Sequence, residues 1–93
     1  MPLQFEWDSR KAKSNVAKHG ISFDEASTVF QDVLSITISD PLHSVEEERS
    51  VVIGHSCRHR LLVVVHTDRD DRIRIISARQ ATRKERRYYE EEG

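Results

Sequence analysis

The segment LHSVEEER, residues 42–49, gathers His43, Ser44, three consecutive glutamates and Arg49, while Arg74 and Arg79 stand in and just after the β-branched run that begins at Ile73. Residues of these types could cleave RNA without a metal. That reaction needs a base for the 2′-hydroxyl, cations for the crowded phosphorane and an acid for the departing oxygen. His43 or Glu48 can supply the base, Arg74 and Arg79 the cations, and His66, Tyr88 or Tyr89 the acid. The competing reading is that the glutamates and arginines pair with one another on the surface, where each pair contributes little.

Other chemistries find less support. His55-x-Cys57-x-His59 and His43-x-x-Glu46 each group metal-ligating types, but neither has the spacing of a zinc site, so no metal or other cofactor is expected. Cys57 is a lone thiol in what reads as a hairpin turn, a weak candidate for a nucleophile. The three glycines, Gly20, Gly54 and Gly93, form no phosphate-binding loop. No helix-turn-helix pattern is visible, which argues against a regulator that binds DNA alone.

The net charge of −1 hides an uneven distribution. Residues 1–57 hold 5 Lys and Arg against 9 Asp and Glu, a net of −4; residues 58–87 hold 10 against 4, a net of +6; the last six hold three glutamates and no base. A local basic patch of that kind is what attraction to phosphate would use. One cysteine, no membrane-length apolar run and no apolar signal core in MPLQFEWD lead to the expectation of a cytoplasmic protein with a reduced thiol and no membrane partner.

The elements that must position these groups read as one α+β domain over residues 1–93. Leu3 to Trp7 alternates as a short strand. Asp8 is placed to cap a helix over residues 9–19, stopped by a left-handed Gly20. Trp7 is placed to staple onto Ala12. On this helix Lys11, Asn15 and Lys18 recur at i, i+4 and i+7 and read as a solvated polar face. Ser22 and Glu25 have capping-box spacing, so a second helix should begin at Phe23 and bury Phe23, Ala26, Val29 and Phe30. Strands are expected over 33–39, 50–55, 60–67 and 72–78, joined by short turns as an antiparallel meander. Leu61 to Val65 is apolar on both faces, which predicts a central strand covered on each side. Thr82 and Glu85 form another capping box, opening a C-terminal helix in which Arg83, Lys84, Arg86 and Arg87 precede Glu90, Glu91 and Glu92. That order opposes the helix dipole and hints that the basic cluster serves a phosphate-bearing ligand.

Three stretches, FEWDSRKAKSNVAKHGISFDEA, HSVEEER with the following VVIGHS, and RLLVVVHTDRDDRIRIISARQATRKERRYYE, resemble in that order the BrnT-type toxins of bacterial toxin–antitoxin pairs. The resemblance covers nearly the whole chain. It implies a RelE-like fold and a metal-independent endoribonuclease that inhibits translation. A neighbouring BrnA-like antitoxin is implied as partner, with operator DNA bound only through the antitoxin complex and a homodimer inside a heterotetramer as the assembly. The family's motifs fall on Trp7, Asp8, Lys11, Asn15, Lys18, His19 and Gly20; on His43, Ser44, Glu47, Glu48 and Arg49; and on Arg74, Ser77, Arg79, Glu85 and Tyr89. The turn Cys57-Arg58-His59 stands where the family commonly has a glycine. On this reading the catalytic candidates are His43, Glu48, Arg49, Arg74 and Arg79, and the RNA-binding candidates are Lys11, Lys18, Arg60, Arg83, Arg87, Tyr88 and Tyr89. The alternative is a non-catalytic interaction module that keeps the fold and the partner within a transcriptional autoregulation complex.

Overall fold

The computed structural model describes residues 3–39 and 49–92. His43, Ser44, Glu47 and Glu48, with the rest of the polar segment before Arg49, lie outside the described residues. Five strands form a single sheet in the order β1-β5-β4-β3-β2: β1 (Gln4–Glu6), β2 (Ile36–Ser39), β3 (Ser50–His55), β4 (Leu61–Arg69) and β5 (Arg72–Gln80). Strands β2 to β5 form the expected antiparallel meander. Strand β1 adds to its edge in parallel, pairing Phe5 with Ile73 and Glu6 with Arg74.

The central position of β4 follows from its composition, since Leu61 to Val64 are all buried. One face of the sheet, carrying Val52, Leu62, Val64, Ile75 and Ala78, packs against Ile21, Phe23, Ala26 and Val29. The other face carries Ile53, Leu61 and Val63 and is closed by Tyr89. Helices therefore cover both sides, as an apolar central strand requires.

Helix α1 (Ser9–His19) starts where Asp8 Oδ1 accepts from the Arg10 N–H at 2.7 Å, and it stops at Gly20, whose φ of 70° lies in the left-handed region. Helix α2 (Phe23–Thr28) is capped by Ser22 Oγ, which accepts from the Glu25 N–H. Only this half of the expected capping box forms, because the Glu25 carboxylate is drawn instead to Arg60 and Ser56. Helix α3 (Arg83–Glu92) has both halves: Thr82 Oγ1 accepts from Glu85 N–H, and Glu85 Oε1 accepts from Thr82 N–H.

A 3-10 turn, Val29–Gln31, follows α2 and displaces the start of the expected strand at Val33. Asp32 is the reason: its N–H reaches Val29 O, its carbonyl accepts from Ser35 N–H and its Oδ1 accepts from Leu34 N–H, so Val33 and Leu34 are held in a turn. Val33 is left 95 % exposed. This turn presses on β3 at Gly54, where a Cβ would come within 3.0 Å of Ser35 and Val29 side-chain carbons. The absence of a side chain there lets the next residue, His55, donate its N–H to Asp32 Oδ2 at 2.8 Å.

Candidate functional site

Arg74 and Arg79 are five residues apart, so strict strand alternation would send them to opposite faces. An irregularity in the β4–β5 ladder prevents this. Val65 pairs with Ser77 and His66 with Ile75, which leaves Ile76 as an extra residue in β5. Arg79 then lies opposite Val63 and Arg74 opposite Thr67, so both arginines stand on the face covered by α3. Arg74 thus points away from its neighbour Ile75, which is part of the core on the opposite face.

Each guanidinium has a carboxylate partner. Arg74 Nη1 donates to Glu6 Oε2 at 3.0 Å, and Arg79 makes a two-pronged contact with Glu85, at 2.7 and 2.8 Å. The Arg79 guanidinium holds the Glu85 carboxyl down at about 2, outweighing burial, with help from the Thr82 N–H. The arginine side chains remain 31 % and 41 % exposed, so a phosphate could reach them by displacing or sharing these carboxylates. Arg49, half-buried, stands immediately before β3.

The remaining candidates are dispersed. Arg83, Arg87 and Tyr88 are exposed along α3. Lys11 and Lys18 are exposed on α1, where with His19 they line a shallow hollow against Ile76 and Ser77 of β5. Asn15 shares that hollow but is not part of a solvated face. It is buried, its amide donates to Ile21 O and Ala78 O, and its Oδ1 accepts from Ala78 N–H, so one side chain completes the hydrogen bonding of the β5 edge. Arg60 is committed to Glu25 through two hydrogen bonds and also reaches Gly20 O. It ties β4 to α2. His66 is buried on the side away from Arg74 and Arg79, edge-on to Phe30 at 4.9 Å, with neither ring nitrogen bonded among the described residues. Burial pushes its pKa down, only partly offset by Asp68, so it is a neutral core histidine rather than an acid within reach of a ligand on the arginine face.

A cluster that residue spacing does not reveal joins three elements. Tyr89 of α3 is buried and its hydroxyl donates to Asp32 Oδ2 at 2.6 Å; burial and that carboxylate push the phenol up to about 12. Burial raises Asp32, but the His55 N–H, the Tyr89 hydroxyl and the Leu34 N–H outweigh it and hold the carboxyl below its usual range. The His55 ring meets Tyr89 edge-on at 5.2 Å, with Nδ1 3.3 Å from the hydroxyl oxygen. His55 thus faces Tyr89 rather than joining Cys57 and His59. Cys57 is exposed, and His59 adopts a φ of 61°, the left-handed conformation that suits glycine at this turn. Among the described residues no three His, Cys, Asp or Glu side chains gather as a cation site, and no helix is long and apolar enough to cross a membrane.

A sheet with one strand added in parallel to an antiparallel meander and helices on both faces defines an α+β architecture shared with a solved toxin. The crystal structure of the Brucella abortus ribonuclease toxin BrnT superposes with a TM-score of 0.64 over 88 % of this chain and 100 % of that one, at 21 % identity. No curated protein matches the chain in sequence. The family model described as "Ribonuclease toxin, BrnT, of type II toxin-antitoxin system" matches residues 7–85. The chain belongs to this BrnT family.

Proposed function

We propose that this chain is an endoribonuclease that cuts RNA without a metal, through attack of the ribose 2′-hydroxyl, and so inhibits translation. Family membership supports the ribonuclease class. The observation that carries the finer reading is the placement of Arg74 and Arg79 on one sheet face by the extra residue Ile76. Two guanidinium groups on a common face can bind the flanking or scissile phosphate and offset the charge that builds on the phosphorane. Arg83, Arg87 and Tyr88 on α3 and Lys11 and Lys18 on α1 extend the contact with the RNA backbone. Arg60 is left out of this surface because Glu25 occupies it. His43, Glu48 and Arg49 stay in the proposal as first-named candidates for proton transfer and charge stabilisation.

The partner is a BrnA-like antitoxin that covers the basic face and blocks RNA by occupancy, contacts operator DNA on behalf of the complex, and assembles two toxin copies in a heterotetramer. The pairing of Arg74 with Glu6 and of Arg79 with Glu85 favours a second reading, a non-catalytic interaction module whose arginines are structural. Expression of the chain alone in a bacterium separates the two. The nuclease reading expects growth arrest with cut RNA, relieved by co-expressed antitoxin and abolished by Arg74→Ala with Arg79→Ala. Arrest with intact RNA, or arrest that survives both substitutions, contradicts it.

A further inference from the structure

We propose that His55 is a catalytic general base of this chain, held for that task by Tyr89 and Asp32. The argument is one of donors and acceptors. Asp32 is a carboxylate and can only accept, so the proton of the Tyr89 hydroxyl must point at Asp32 Oδ2, 2.6 Å away. The Tyr89 oxygen, having given its proton to that bond, can only accept from His55 Nδ1 at 3.3 Å. The neutral imidazole therefore carries its proton on Nδ1, and Nε2 keeps its lone pair.

Nε2 bonds to nothing among the described residues, and the side chain is 42 % exposed. His55 lines a shallow hollow of about 260 Å³ with Thr28, Gln31, Asp32, Ser56 and Cys57. The Asp32 carboxylate lies behind the ring, with Oδ2 3.8 Å from Nδ1. A base within reach of solvent, a second group fixing its tautomer and a carboxylate behind both is the arrangement general-base catalysis needs. The ring is also fixed in place. Its backbone N–H is held by Asp32, Tyr89 packs against its edge, and Gly54 leaves the room for that approach.

This assignment rests on the ribonuclease reading and puts His55, which stands opposite Leu61 at the Arg79 end of the sheet, in place of His43 or Glu48 as the residue that activates the substrate. His55 Nε2 removes the 2′-hydroxyl proton, the 2′-oxygen forms a bond to phosphorus, and the bond from phosphorus to the 5′-oxygen breaks. The proton returns from the imidazolium to the leaving oxygen. The products are a 2′,3′-cyclic phosphate and a 5′-hydroxyl, and no oxidant, water or co-reactant is consumed. Tyr89 and Asp32 are positioning residues.

The test uses the purified full chain and a single-stranded RNA oligonucleotide. His55→Ala is expected to lower kcat about 100-fold or more with KM little changed, and added imidazole is expected to restore part of the rate. Tyr89→Phe keeps the ring beside His55, removes the acceptor for Nδ1 and is expected to lower kcat about tenfold. Circular dichroism accompanies each variant; should His55→Ala fail to fold, His55→Asn replaces it, read by the same fall in kcat. Cleavage by the wild type with undiminished kcat in a folded His55 variant overturns the His55 assignment alone. A slower His55→Ala enzyme that imidazole does not rescue makes His55 structural and also overturns it. No cleavage by the wild type overturns the ribonuclease reading and this inference with it.

Discussion

Arg74 and Arg79 share a face of the sheet although five residues separate them, because Ile76 interrupts the alternation of β5 opposite the Val65–His66 step. The proposed phosphate-binding face depends on that interruption. Arg79→Ala is expected to slow RNA cleavage by about 100-fold, the scale for losing a donor aimed at developing charge. Arg79→Lys should recover little, since an ammonium cannot reproduce a two-pronged contact. Single-turnover rates on a defined RNA, with thermal melts alongside, check both.

Glu85 ties α3 to β5 and carries a stability effect with a definite pH window. Its carboxyl is lowered from 4.5 to about 2 in the fold. The contribution is therefore complete above pH 4.5 and is lost as pH falls from about 4.5 toward 2. With the Arg79 side open to water, Glu85→Gln is expected to cost about 1–2 kcal/mol at pH 7, less than a fully enclosed pair would. Urea midpoints of wild type and variant should converge near pH 2. The same substitution frees Arg79, so RNA affinity should rise.

Glu25 and Arg60 form a structural strut. Glu25 is 6 % exposed, and Arg60 first, with Ser56, keeps its carboxyl below the usual range against the pull of burial. Glu25→Ala is expected to cost about 2–3 kcal/mol, below the 3–5 typical of an enclosed pair because Arg60 can turn to water. Arg60→Ala should lower the melting temperature while leaving the RNA affinity of the folded protein unchanged. A fluorescence-anisotropy titration below the melting range measures the latter.

Much of the fold could be read directly from the sequence, and the reasons are local. Asp8, Gly20, Ser22, Thr82 and Glu85 announce helix ends through side chains that bond their own neighbours, and these boundaries match the structure. The apolar run Leu61 to Val65 announces a central strand through composition. What was hidden depends on distant partners. Asn15 has helix-surface spacing, yet it is buried because the β5 edge at Ala78 needs its hydrogen bonds. Val33 and Leu34 continue an alternating pattern, yet Asp32 claims them for a turn. The cluster of Asp32, His55 and Tyr89 spans 57 residues and has no spacing signature. The glycine before His55 was its one visible trace, since a strand glycine often marks a close backbone approach.

His66 offers a second pH window, with the opposite chemistry. Burial holds it neutral in the fold, so the unfolded chain binds the extra proton as pH drops below about 6.5 and stability falls with it. The slope from this one group cannot exceed about 1.4 kcal/mol per pH unit. His66→Phe, which keeps a ring against Phe30, should flatten the stability profile between pH 7 and pH 5. Denaturant melts across that range read the difference; an unchanged slope would show that His66 is not its source.

The most direct measurement incubates the purified chain with single-stranded RNA in the presence of a chelator and identifies the ends of the products. The account predicts cleavage that the chelator does not suppress, yielding 2′,3′-cyclic phosphate and 5′-hydroxyl ends. Intact RNA after exposure to folded protein, or products bearing 5′-phosphate ends, would contradict it.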